Sequence, residues 1–406
     1  MHRRLRETPG KLLAAAALVA VLGVSGCTGG SAANSPAPAT GAQPAASSAA
    51  PVAVAPGVKR TLTILGAGDE LLHPEVWTQG HKDAAADGKS GYDFDPIFAS
   101  VRPAITAASL AICHMETPLA PAGGPYQGYP RFSVPPQIAT TMHDIGYDTC
   151  STASNHTLDQ GTAGIKRTLD ALDAAGVAHT GSYRSQADSK KIDMIEVTSP
   201  QGGAPVKVAQ LSYTFGFNGL KRPQPWVANQ TDATAILAAA HRAKQAGAEI
   251  VVLSIHWGVE YDHTPNADQK SLAAKLLASP DLDLILGCHE HVVQPIAKVA
   301  GKWVAYGMGN QVARHAEPVN DNREGIMPEF TFTETSAGHW VVTTAAVIPT
   351  WVSLQPAIRV IDLPAALAGK NLPADTRKIY QGALDRITRY VDSLGSDVKV
   401  ISGIPS

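Results

Sequence analysis

Beyond residue 57 the chain alternates short apolar or β-branched runs with stretches whose apolar residues recur every three or four positions. Leu62–Leu65, Ser109–Cys113 and Asp148–Thr152 read as short strands, each opening onto polar residues. In Thr162–Ala175 (TAGIKRTLDALDAA), Ile165, Leu169 and Leu172 fall on one helical face, and Gly176 stops the helix. Thr231–Ala246 is an Ala-rich helix closed by Gly247, and Glu249–Ile255 is a strand ending in His256. Ala267–Ala278 is a helix, and Leu282–Leu286 a strand ending in Gly287. Strand, helix and strand in succession predict parallel pairing and an α/β fold. After about Pro328, PEFTFTE and WVVTTAAVI alternate like an antiparallel hairpin, and Thr376–Leu394 is patterned as a terminal amphipathic helix. Residues 328–395 are therefore expected to complete the domain.

The amino terminus is different. Arg3, Arg4, Arg6 and Lys11 precede an apolar run from Leu12 to Val24, too short for the roughly 20 residues of a spanning helix. Residues 1–26 are predicted to be a lipoprotein signal peptide, because Val24-Ser25-Gly26-Cys27 resembles a bacterial lipobox with Cys27 as the lipidated residue. An ordinary signal peptide with an incidental cysteine is the alternative. Residues 27–57, almost wholly Ala, Ser, Pro, Gly and Thr, hold too little large apolar surface to offset the entropy of ordering them. They read as a flexible tether. The protein is thus expected at the outer face of the cell membrane, held by its lipid, with 58–406 forming the folded part as one large domain or two smaller ones.

A net charge of -2 offers no basic surface for nucleic acid. Of 4 cysteines, assigning Cys27 to lipid leaves Cys113, Cys150 and Cys288, an odd set that is no disulfide framework. Spacing leaves a Cys113–Cys150 pair open.

Chemistry gathers just past the predicted strands. Asp69, Glu116, Asn155-His156, His256 and His289-x-His291 each follow one, and the carboxyl ends of strands are where ligand sites collect in α/β folds. Taken alone, each has a bland explanation: a turn or cap for Asp69 and Asn155, a solvated acid for Glu116, a packing residue for His256. Together they form a set of metal-type side chains, with imidazoles suited to Zn, Fe or Mn. Trp257 reads as core or pocket wall. Arg131 in YPRFSVPP and Asn310 in YGMGN are candidates to meet a substrate, against readings as a surface arginine and a tight turn. Arg314 and His315, just after that turn, read similarly.

The order Asp, acid, Asn-His, His, His-x-His resembles the calcineurin-like metallophosphoesterases. More closely, GAGDELL, METPL, RFSVPP, SNHTLDQG, TLDALDAAGVAHTG, LSIHWGVEYDHTP, GCHEHVVQPI and YGMGN resemble the successive motifs of the CapA-type poly-γ-glutamate capsule-synthesis family, from about Thr61 to Asn310. That resemblance implies a four-layer α/β/β/α sandwich holding one or two divalent metal ions (Mn, Fe or Zn). It implies Asp69, Glu116, Asn155, His256, His289 and His291 as ligands, Glu116 standing at the glutamate of an Asn-Leu-Glu motif. His156 would face the substrate as acid or stabiliser, with Asp159 orienting an imidazole. The chain departs from the pattern at Leu71, where the phosphoesterase Asp-x-His motif has histidine. It departs also at Met115 for Leu, at Ser154 for Asn, and at Cys288 and Glu290 where His and Pro are frequent. His73, two residues beyond Leu71, is not expected to substitute.

Three functions follow from these features. The first is a metal-dependent hydrolase or transferase of capsule or envelope polymer synthesis, acting on an anionic polymer or phosphoester. The second is a non-catalytic component that binds or guides the polymer within a membrane assembly. The third is a secreted metallophosphatase or nucleotidase.

Overall fold

In the computed structural model the described residues are Val54, 57–315, 319–336 and 338–403; Cys27, the leader and nearly all of the tether lie outside them. In chain order the strands are β1 (Thr61–Glu70), β2 (Leu110–His114), β3 (Thr149–Ser151), β4 (Ala178–Thr180), β5 (Asp193–Val197), β6 (Val206–Thr214), β7 (Ile250–His256), β8 (Leu284–Cys288), β9 (Ile296–Val299), β10 (Lys302–Ala305), β11 (Asn310–Val312), β12 (Glu324–Ser336), β13 (His339–Ser353), β14 (Arg359–Asp362) and β15 (Lys399–Val400). The helices are α1 (Pro74–Ala86), α2 (Asp95–Phe98), α3 (Arg102–Ala107), α4 (Gln137–Asp144), α5 (Gly161–Ala175), α6 (Ala233–Gln245), α7 (Ala267–Leu277), α8 (Leu363–Ala368) and α9 (Ala374–Val391). None of these helices is long and apolar enough to cross a membrane.

The strands form two sheets. One runs β14-β13-β12-β1-β2-β3-β4, with β11 beside β1 and β15 beside β13; the other runs β5-β6-β7-β8-β10-β9. β1 to β4 are parallel, as are β6, β7, β8 and β10, and the long β12/β13 hairpin adds antiparallel strands to the first sheet.

Alternation along each strand decides the layers. Ile64, Leu110 and Ile112 of the first sheet meet Val208, Val252 and Leu286 of the second in a core between the sheets, which α9 closes with Ala383 and Ile387. Leu65, Ala111 and Cys113 turn the other way, to Val76, Ile105, Ile138 and Leu172 of the helices. On the far side, Leu211, Leu253 and Ile285 pack against Ile236, Ala240 and Leu276. Helices, sheet, sheet and helices make the expected four layers. Strands buried on both faces explain why the sequence shows runs of apolar residues rather than clean alternation.

Register aligns the strand ends. Asp69 pairs with His114, His114 with Ser151, and His256 with Cys288. The carboxyl ends of β1, β2, β3, β7 and β8 therefore converge at one edge. Two glycines let the YGMGN segment lie against that edge: a Cβ on Gly68 would stand 2.0 Å from the Gly309 carbonyl oxygen, and one on Gly287 only 1.9 Å from that of Tyr306. Cys113 and Cys150, neighbours across β2 and β3 with Cα atoms 4.5 Å apart, are joined by a disulfide, while Cys288 is a buried free thiol.

Candidate metal centre

The six predicted ligands arrive from five strand ends. Asp69 is the ninth residue of β1, where the strand continues to Glu70 instead of stopping at Leu65. Glu116 lies two residues past β2, Asn155 and His156 in the turn after β3, and His256 closes β7. His289 and His291 follow β8 on backbone with positive φ, 110° and 57°. L-residues avoid that region, at a cost of roughly 1–3 kcal/mol each, and it persists where surrounding structure over-determines it. Behind this bend sits the Glu290 carboxylate, held by a Gln269 side-chain N–H at 2.7 Å. Gly258 makes the room, since a Cβ there would fall 2.4 Å from Glu290 Oε1.

The six side chains meet. Asp69 Oδ2 lies 3.1 Å from His291 Nδ1, and its Oδ1 lies 3.7 Å from His114 Nε2 and 4.0 Å from His256 Nδ1. Glu116 Oε1 is 3.9 Å from His256 Nε2 and 4.0 Å from His291 Nε2. Asn155 Oδ1 is 3.1 Å from His256 Nε2, and the His256 and His289 rings are 4.7 Å apart. Among the described residues three overlapping groups have ligand atoms within 4.8 Å of one another: Asp69, His114 and His256; Asp69, Glu116 and His291; and Glu260, His289 and His291.

The donor set fits divalent cations. Asp69 Oδ1, both Glu116 oxygens and His289 Nδ1 are buried without a hydrogen-bond partner. Leaving such atoms orphaned costs several kcal/mol each unless a charge of opposite sign compensates. Burial, reinforced by the Asp69 carboxylate, pushes the Glu116 carboxyl well above its ordinary range. Burial raises Asp69 too, but the hydrogen bond and charge of His291 outweigh it and hold Asp69 low. Burial works against charge on His291, yet Glu116 and Asp69 lift it to about 9. Burial keeps His289 near 3 and His256 well below its usual value, so both are neutral, the form that ligates.

Around this centre the other predicted residues separate. His156 Nδ1 donates to Asp159 Oδ2 at 2.7 Å, and the same oxygen accepts the Phe132 backbone N–H at 2.8 Å. The imidazole is thereby fixed with Nε2 free, its ring edge-on to Phe132 at 4.8 Å. Asn310 is not at the surface. Fully buried, it sets Oδ1 3.0 Å from His291 Nδ1 and donates to the carbonyls of His291 and Asn322, so it braces His291. Arg131 is exposed and forms no hydrogen bond or ion pair among the described residues. Trp257 is core: it donates to the Tyr306 carbonyl at 2.8 Å and stacks on that ring. His73 stands outside all three groups, packed on Phe132 and His315 and accepting the Arg314 N–H.

Sequence reasoning passed over His114, Glu260 and the mouth aromatics. His114 sits two residues before Glu116, a spacing that puts strand residues on one side. Glu260, four residues past His256, is the exposed member of its group. Phe215 and Tyr261, 44% and 53% exposed, stand over the centre with rings 4.5 Å from His289 and 6.1 Å from His291. No motif marks them.

The family described as bacterial capsule synthesis protein PGA_cap matches residues 63–315. The chain is 28% identical over 260 residues to the PGA biosynthesis protein CapA of Bacillus subtilis (strain 168), covering 61% of this chain and 64% of that protein. Identity to the capsule biosynthesis protein CapA of Bacillus anthracis is 28% over 187 residues, 45% of this chain and 44% of that one. A probable polyglutamine synthesis accessory protein of Mycobacterium tuberculosis (strain ATCC 25618 / H37Rv) is 24% identical over 235 residues, 54% and 58% of the two chains. The chain therefore spans between 44% and 64% of the length of these relatives. Among solved structures, the calcineurin-like phosphoesterase YfkN of Bacillus subtilis is similar with a TM-score of 0.45 and 15% identity, over 82% of this chain and 100% of that one. Since the family match takes in well over half of the sequence and every residue of the centre, this chain belongs to the bacterial capsule synthesis family PGA_cap.

Proposed function

We propose that this protein is a metal-dependent hydrolase or transferase of capsule or envelope polymer synthesis, working on an anionic polymer of poly-γ-glutamate type or on a phosphoester. The observation that carries this reading is the set of orphaned, buried ligand atoms on Asp69, Glu116 and His289. Bound divalent ions would supply Lewis acidity toward a phosphoryl or carbonyl oxygen and acidify a water. The chain's own residues do the rest. Asp69, Glu116, Asn155, His256, His289 and His291 hold the ions, Asn310 and Glu290 brace the His-x-His bend, and His156 offers Nε2 to a reacting oxygen with Asp159 holding its Nδ1 proton. Phe215 and Tyr261 wall the approach against water.

Export to the outer face of the membrane, with Cys27 as the lipid anchor, belongs to the same proposal. The Cys113–Cys150 disulfide supports it, since such bonds persist in oxidising compartments.

A non-catalytic, polymer-guiding role is the second reading. It is favoured by Leu71, which fills the Asp-x-His position with an apolar side chain buried among Leu72 and Val76. The test is direct. The full chain, purified in detergent, should retain a divalent metal and cleave poly-γ-glutamate or a phosphodiester over many turnovers, with His289→Ala at least about 100-fold slower. Metal retained with polymer bound but never cleaved would move the assignment to the second reading; no metal and no cleavage would end the enzymatic one.

A further inference from the structure

The resemblance to phosphoesterases implies an Asp-x-His motif that begins at Asp69. Here its histidine position is Leu71, 3% exposed and committed to the helix-side core. His73 is engaged elsewhere. A different strand presents an imidazole to the same aspartate.

We infer that His114, at the end of β2, is a metal ligand that replaces the absent histidine, forming a subsite with Asp69 and His256. This rests on the reading of the cluster as a metal centre. Asp69 and His114 are register partners on adjacent parallel strands, so the pairing is set by the backbone. The three ligand atoms, Asp69 Oδ1, His114 Nε2 and His256 Nδ1, are separated by 3.7, 4.0 and 3.0 Å. A tetrahedral ion with bonds of about 2.0–2.2 Å has ligand-to-ligand edges of roughly 3.3–3.6 Å, which the observed values bracket. Asp69 Oδ1 has no hydrogen-bond partner although its residue is 0% exposed. It is aimed at the two nitrogens from beyond hydrogen-bond range, as an oxygen would be across a cation.

Proton accounting agrees. Ser151 Oγ donates to the Cys113 carbonyl at 3.3 Å, so it accepts from His114 Nδ1–H at 2.7 Å. That leaves the lone pair of His114 on Nε2, facing His256. On the other side, His256 Nε2–H donates to Asn155 Oδ1 at 3.1 Å, which leaves the His256 lone pair on Nδ1. Two imidazole lone pairs 3.0 Å apart repel unless an ion or a proton lies between them. Asn155 Oδ1 keeps a second lone pair for a neighbouring ion.

The competing arrangement puts a proton on His256 Nδ1, donated to His114 Nε2, and makes His114 an outer partner that orients His256. Cobalt separates the two. The full chain is stripped with chelator, reloaded with Co²⁺, and followed by titration and by proton NMR of exchangeable, paramagnetically shifted imidazole N–H signals. A ligating His114 gives one such signal, from Nδ1–H. His114→Asn, which installs the residue of the family's Asn-Leu-Glu motif, should erase that signal and weaken one Co²⁺ site more than 100-fold. Loss of an outer partner costs only about 10–100-fold. Should His114→Asn not fold, Ser151→Ala serves instead: Co²⁺ stays bound while the same N–H exchanges faster with water. The inference is overturned if wild type and His114→Asn show the same shifted signals, or if Ser151→Ala leaves every N–H exchange rate unchanged. Wild-type protein that takes up no Co²⁺ defeats the metal-centre reading itself, a distinct result.

Discussion

His156 and Asp159 divide one task between two side chains. The carboxylate fixes the tautomer through a 2.7 Å hydrogen bond, which leaves the other nitrogen of the imidazole for the role proposed above. His156→Ala should therefore lower kcat by about 10²–10⁴ while bound metal per chain stays constant, measured by turnover beside elemental analysis. Asp159→Asn should cost less, because the amide oxygen can still accept from Nδ1. Equal metal loss in both variants would recast the pair as structural. The candidate ligands and His156 were legible as polar residues just past strand ends, whereas Asp159 and the roles came from the family resemblance. His114 was not legible, since a lone histidine before METPL carries no signal until register sets it opposite Asp69. Asn310 in YGMGN reads equally as a residue that closes the site or as part of a tight turn, and only the pairing of β11 beside β1 shows that it is buried.

Elements follow from the same tension between local sequence and long-range pairing. The helix Gly161–Ala175 and the strand closing on His256 have the expected bounds to within a residue or two, since their patterns are self-contained. β1 runs five residues past the apolar stretch that announced it. Gly66-Ala67-Gly68 reads as a turn in isolation, yet Gly68 admits the YGMGN backbone and β11, and the strand continues. Gly287 tests this account at the other sheet. A methyl there would meet the Tyr306 carbonyl at 1.9 Å and the Trp257 indole nitrogen at 2.6 Å. Gly287→Ala should destabilise the protein by about 1–3 kcal/mol or more and shift the bend that follows. Thermal unfolding with and without metal would measure it, and an unchanged midpoint would show that the contact relaxes freely.

On the scale of the whole molecule, α/β character came from periodicity, but the four-layer order came from resemblance to a family. No local pattern says that the two sheets lie face to face, because burial on both sides removes the alternation that would mark an inner face. The leader and tether lie outside the described residues, so the anchor is judged by chemistry. Cells fed a labelled fatty acid should incorporate it into the wild-type chain and not into Cys27→Ala, which should leave the membrane fraction. Label on the variant would reassign the anchor.

Asp69 and Glu116 descend from one sheet, and His256, His289 and His291 from the other. An ion among them would be a rivet through two slabs that otherwise meet through an apolar core and scattered hydrogen bonds such as Thr149 Oγ1 to Gln210 Oε1. Ion uptake adds RT ln(1 + [L]/Kd) to the folded state, about 4 kcal/mol at a thousandfold excess over Kd. Stripping the metal would therefore loosen the join between the sheets as well as empty the centre, and the apo chain should unfold at lower temperature than the loaded one.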